Sequence, residues 1–177
     1  MGDKATYRKT LAMDINAAKG VLPVISSYVS KAQQDTEALR TAHQKAEERY
    51  QQARKSGEAF NDHSPAFNKV WNSSNAVREA SDRYKKLQSS AESAGKMIGE
   101  LETVKSKFGL LSREMTKEQA AKTVVELQNA RSNANNMQEI PDKAVKAAYE
   151  KVGKDIESIK QELIKKYGLT KKDIAVF

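Results

Sequence analysis

Between Pro23 and Ser56, small or apolar residues recur at alternating steps of four and three: Ala32, Thr36, Leu39, His43, Ala46, Tyr50 and Ala53. That spacing puts one row of side chains on one face of a helix, the pattern of a heptad seam. Gln, Glu, Lys and Arg fill the remaining positions, which predicts a solvated outer face. Nothing over residues 23–56 breaks a helix, which would run about 51 Å at 1.5 Å per residue. A second stretch, residues 65–108, repeats Val70, Val77, Tyr84, Ala91 and Ile98 every seven residues. Trp71, Leu87, Ala94, Leu101 and Phe108 are assigned to the adjoining row. Gly57 supplies a stop for the first stretch. Ser64 and Pro65 suit the cap and first position of the second. Two long helices joined by so short a turn must lie antiparallel, so the pattern predicts a helical hairpin. Gly95 and Gly99, four apart, should weaken the second arm, allow a bend, and let another backbone come close.

Three more helices are expected. Over residues 4–19, Tyr7, Leu11, Ile15 and Ala18 share a face, and Gly20 provides a stop. Over residues 116–134, Thr116 and Gln119 form a capping box, followed by Ala120, Val124, Leu127 and Arg131 at helical spacing. The Asn-rich end of this helix should fray near Asn133–Asn136. Residues 141–167 carry the cleanest stripe: Val145, Tyr149, Val152, Ile156, Ile159, Leu163 and Tyr167, closed by Gly168. The tail "LTKKDIAVF" should tuck its apolar residues onto the bundle. The expected architecture is a single all-α domain over residues 1–177, an elongated, coiled-coil-like bundle of about five helices built on the long hairpin.

Composition narrows this picture. The chain is 38% hydrophobic and 31% charged, so the core must be narrow. Gly (8) and Pro (3) are too few to build many turns, which favours long helices over sheets. With no cysteine, disulfides, thiolate catalysis and Cys-ligated zinc are excluded. The net charge of +8 could signal an acidic partner. However, the basic excess is spread thinly along the chain, with no basic tail and no block of like charge. The most apolar stretch, "GVLPVISSYV", is about half the ~20 residues needed to cross a bilayer. The opening "MGDKAT" matches only a loose myristoylation pattern. A soluble protein is expected, with a lean toward a secreted one whose export signal has been removed.

The chain offers little for catalysis. The two histidines are His43, on the seam, and His63, beside Asp62 in the turn. No third ligand presents itself to complete a metal site. Di-iron Glu-x-x-His pairs, a P-loop, a Rossmann glycine run and a nucleophile elbow are all missing from the sequence. Glu47–Glu48 and Glu100/Glu102 fall on polar faces. We therefore expect no enzyme activity, no cofactor and no metal. "KKYGLTKKDIAVF" has some character of the first half of a helix-turn-helix, but no recognition helix follows. Nucleic-acid binding is disfavoured. A membrane surface is an alternative partner, because amphipathic helices can open onto lipid.

One feature stands out from a polar chain. Phe60, Phe67 and Trp71 gather at the hairpin turn, together with His63, although the protein has only eleven aromatic residues (Trp 1, Tyr 6, Phe 4). Phe67 and Trp71 share helical spacing, so they could plug the hairpin against Tyr50 and Ala53. Phe60 sits mid-turn among polar residues, where an aromatic ring is better placed to anchor a partner. The candidate contact residues are Phe60, His63, Phe67 and Trp71.

The layout of a long hairpin with an exposed turn resembles the helical-hairpin modules of secreted bacterial proteins, such as needle-tip proteins and the receptor-binding hairpins of colicins. The resemblance lies in shape and implies work through protein–protein contact. The function expected is therefore a non-enzymatic interaction with another protein through the aromatic tip. Self-association, membrane-surface binding and nonspecific nucleic-acid binding are the alternatives.

Overall fold

Helix starts and stops are set locally, and most of them obey the capping chemistry written in the sequence. The computed structural model describes residues 15–57, 64–110 and 115–177, and every regular element among them is helical. Helix α1 is described over residues 15–20. The others are α2 (Leu22–Lys55), α3 (Pro65–Leu110), α4 (Lys117–Asn135), α5 (Lys143–Tyr167) and α6 (Lys171–Ile174), with a 3-10 turn at Asn136–Glu139 between α4 and α5. The expected all-α class and its hairpin are present. Residues 4–14 of the first expected helix, and the turn residues Phe60 and His63, lie outside the described residues.

The Ser64 hydroxyl accepts the amide N–H of Phe67 at 3.2 Å and caps α3, with Pro65 at the first helical position, where a missing N–H costs nothing. The Thr116 hydroxyl accepts from the Gln119 amide at 3.2 Å, while the Gln119 side chain accepts from the Thr116 N–H at 2.9 Å. Asp142 caps α5 through the Val145 amide at 3.0 Å, so that helix begins after the cap rather than at Pro141. Gly57 (φ 73°) and Gly168 (φ 57°) both end helices in the left-handed region, where a side chain would be strained. At Gly20 the expected stop is instead a break of one residue. The chain is helical through Gly20 and resumes at Leu22, with the Ile25 N–H bonded to the Val21 carbonyl at 3.1 Å.

The chain forms two compact units, one from residues 27–88 and one from residues 1–26 with 89–177. In the second, α5 buries the stripe read from its sequence: Val145, Tyr149, Val152, Ile156, Ile159 and Leu163. Helix α4 contributes Ala120, Val124, Leu127, Ala130 and Ala134 to the core, and α3 contributes Ala94, Met97, Leu101 and Val104. Each large aliphatic side chain so buried stabilises the unit by about 1.5–3 kcal/mol.

Two expectations for this unit change. Gly95 and Gly99 face open space and admit no neighbouring backbone. The close approach is at buried Gly153, where a Cβ would overlap the Arg131 guanidinium of α4. The Asn-rich end of α4 stays helical to Asn135 and then tightens to 3-10 geometry. Its asparagines bond to α3 instead of competing with their own backbone. Asn133 donates to Glu100 at 3.3 Å and Asn136 to Ser93 at 3.1 Å, and Ser90 donates to the Asn136 carbonyl at 2.9 Å. An ion pair between Lys19 and Glu102 ties α1 to α3.

The tail is more ordered than its sequence suggests. Thr170 and Asp173 form a second capping box that starts α6, and Lys117 pairs with Asp173 at 2.9 Å. Leu169 is buried as expected, but Val176 and Phe177 are exposed, with the Lys122 ammonium 4.9 Å from the Phe177 ring centre.

Candidate interaction surface of the helical hairpin

Residues 27–88 place one arm of α2 beside one arm of α3. The contacts fix their register. His43 meets Ser73 (Nδ1 to Oγ, 2.9 Å), and the Tyr50 and Phe67 rings lie 6.1 Å apart at 59°. Moving seven residues up one arm moves six residues down the other, as an antiparallel pair requires. The α2 seam is the one the heptad pattern marks. Ala32, Thr36 and Ala46 are buried, while Leu39, His43, Tyr50 and Ala53 are half-buried. From α3 come Val70, Ser73, Val77, Ala80 and Tyr84, all half-buried, and buried Leu87.

This seam is thin because its residues are small. Small side chains bring the helices close but bury little apolar area per turn. Its hydroxyls donate within their own helices. Thr36 donates to the Ala32 carbonyl at 2.7 Å and Ser73 to the Val70 carbonyl at 2.9 Å. His43 faces Ser73 on one side and Glu47 on the other, with Nε2 3.7 Å from the carboxylate.

The sequence assigned Phe67 and Trp71 to one face, and the structure separates them. Phe67 is half-buried and makes the expected contact with Tyr50. Trp71 is 61% exposed and packs no plug. The cause is helical geometry. Four residues advance about 400° at 3.6 per turn, so Trp71 lies about 40° past Phe67. Phe67 flanks the seam on the inner side of that rotation. Val70 takes the seam position in the next turn and leaves Trp71 outside. The same rotation corrects the α3 seam: Ser73 and Ala80, passed over in the sequence, continue the heptad through Val70 and Val77. Their signal was the three-residue step between heptad positions, hidden by the small or polar character of these residues.

Of the four candidate contact residues, Phe67 is thus a packing residue and Trp71 a surface one. Phe60 and His63 lie outside the described residues. Among the described residues no three of His, Cys, Asp or Glu are grouped so as to hold a metal ion. The carboxylate pairs are spent on ordinary contacts: Glu48 accepts from Gln44 at 3.2 Å, Glu100 from Asn133, and Glu102 pairs with Lys19. Among the described residues no helix is long and apolar enough to cross a membrane.

No family model, no curated protein and no solved structure matches this chain.

Proposed function

We propose that the protein acts without catalysis, by binding another protein through the outer face of its helical hairpin, with Trp71 as the anchor. The observation that carries this reading is the 61% exposure of the chain's single tryptophan. An indole ring left in water gives up about as much free energy as a buried core residue would supply. Buried in a partner's pocket, such rings are typical anchors, with about 2 kcal/mol or more lost when they are truncated. Asn68, Asn72, Ser74 and Asn75 surround it in sequence, with Lys69 and Arg78 nearby. The complementary surface is a protein with an apolar slot for the indole, rimmed by groups that bond amides and hydroxyls. A secreted site of action goes with this reading through the resemblance to secreted hairpin modules.

The test is capture from the native source, with the wild-type chain beside Trp71→Ala. A partner held by the wild type and lost by a variant with unchanged helical circular dichroism supports the reading. Equal capture by both removes Trp71 from the interface. Flotation with anionic liposomes in place of capture would move the function to a membrane surface, and a concentration-dependent mass in light scattering would make the partner a second copy.

A further inference from the structure

The second unit contains a recess that the hairpin reading does not use. It measures about 110 Å³ and opens between the C-terminal turns of α4 and the first half of α5. Arg131 reaches into its lining from α4, and Lys146, Tyr149, Glu150 and Lys154 line it from α5. Three cations face one carboxylate, so the lining is positive on balance.

Tyr149 gives the recess its chemistry. The residue is 2% exposed, and its hydroxyl has no hydrogen-bond partner among the described residues. A buried hydroxyl without a partner is costly, and natural structures rarely keep one. Burial also pushes the phenol up to about 12, so it stays protonated and available as a donor at neutral pH. The groups around it are mostly donors too. Arg131, Lys146 and Lys154 have no lone pair to offer once charged. The recess therefore holds more donors than acceptors, with Glu150 as the one carboxylate in its lining, and nothing there accepts from the Tyr149 hydroxyl.

Gly153 contributes by having no side chain. Its bare backbone is where the Arg131 guanidinium lies across α5, and a Cβ there would push it away. The arginine is held half-buried beside the recess, where its planar fork suits an oxyanion.

We propose that this recess is a binding site for a small oxyanion, a phosphate or a carboxylate, held by Arg131, Lys146 and Lys154 with the Tyr149 hydroxyl as a neutral donor. Glu150 sets its selectivity, by repelling ligands that carry more negative charge than the three cations offset. The site is independent of the hairpin interaction.

Inorganic phosphate and acetate are the probes, each titrated into the full chain against sodium chloride at matched ionic strength. Backbone amide shifts are followed by NMR, and melting by circular dichroism. Phosphate or acetate should raise the melting temperature above the chloride control, with saturable shifts confined to the segments 131–137 and 146–154. Saturation by phosphate alone assigns a phosphoryl group, and saturation by acetate alone a carboxylate. Lys154→Gln should weaken binding about tenfold, the effect of losing one charge-assisted hydrogen bond. Tyr149→Phe should also weaken it several-fold, yet melt no lower than wild type without ligand, since it deletes an unpartnered hydroxyl. Phosphate and acetate effects equal to those of chloride would overturn the proposal. So would shifts scattered over lysines throughout the chain, or full affinity in both variants.

Discussion

His43 on α2 lies with Nδ1 2.9 Å from Oγ of Ser73 on α3, and Ser73 uses its own proton on the Val70 carbonyl at 2.9 Å. The serine oxygen can then only accept, so Nδ1 must carry the hydrogen and Nε2 is left to face Glu47. With the serine proton on Val70, the neutral ring is the Nδ1–H tautomer, the minor form in water. Imidazole nitrogen shifts will show protonated Nδ1 in the folded chain. Ser73→Ala removes the acceptor and should cost about 1 kcal/mol in urea unfolding. A ring in the ordinary Nε2–H form would show that the Ser73 proton turns from the Val70 carbonyl to Nδ1.

Trp71 and Phe67 should separate in their effects as they do in space. Trp71→Ala is expected within about 0.5 kcal/mol of wild-type stability, as for a surface substitution. Phe67→Ala should cost about 1–2 kcal/mol, because it removes a half-buried ring tilted against Tyr50. The intrinsic tryptophan emission should resemble that of the free amino acid in water and change little on unfolding. A blue-shifted emission that moves red in urea would instead place the indole in a plug.

The thin hairpin seam implies uneven stability. The amides of residues 27–57 and 64–88 should exchange with deuterium sooner than those of α5, whose stripe is buried from Val145 to Leu163. Hydrogen exchange read by mass spectrometry on peptides from the two units checks this directly.

The four long helices α2 to α5, most of their ends and the α2 seam were legible because each rests on local chemistry. A cap needs a side-chain oxygen three residues from its amide, and a seam needs a four-three rhythm, so both can be read along the chain. The α3 seam was legible only where its residues were large and apolar. At Ser73 and Ala80 it is hidden, because these small or polar side chains carry no apolar signal, while the larger and more apolar Trp71 stands out although it lies off the seam. The roles of Gly95, Gly99 and Gly153 were illegible for another reason. A glycine's neighbours come from other helices, and nothing local marks which one receives Arg131. The Tyr149 recess was hidden likewise: its tyrosine reads as one more position in a stripe, and the missing acceptor appears only when α4 and the 3-10 turn are placed.

The glycines yield a clean contrast. Gly95 and Gly99 lie inside α3 with open space where a Cβ would stand. Alanine at either should stabilise by about 0.5–1 kcal/mol through helix propensity and a less flexible unfolded chain. Gly153→Ala has the same propensity gain but displaces the Arg131 guanidinium, so it should give no gain or a loss. In an Arg131→Ala background the conflict disappears, and Gly153→Ala should then stabilise by about as much as the other two. A double-mutant cycle measured in urea reads this coupling.

Two carboxyl groups should pull acid stability in opposite directions. Asp173 is held down to about 2 by the Thr170 hydroxyl, the Thr170 amide and the Lys117 ammonium, in that order. A depressed group stabilises the fold above its unfolded value and loses that contribution as pH falls through the folded one. Asp173→Asn should therefore lower the melting temperature at pH 7, with the gap closing between about pH 4 and pH 2. Glu100 is displaced upward, chiefly by burial, with the Asn133 hydrogen bond opposing and the Glu126 charge adding. Its folded form binds a proton more readily than the unfolded chain does. Its ionised form thus burdens the fold at neutral pH, and the burden lifts as pH falls through its folded value. Glu100→Gln keeps an oxygen for Asn133 and should melt at or above wild type at pH 7, with the difference gone once wild-type Glu100 is protonated. Melting curves of both variants from pH 2 to pH 7 would show one gap closing from below and the other from above. If Glu100→Gln melts lower at pH 7, the ionised carboxylate is a net stabiliser, and the Asn133 bond outweighs the cost of burial.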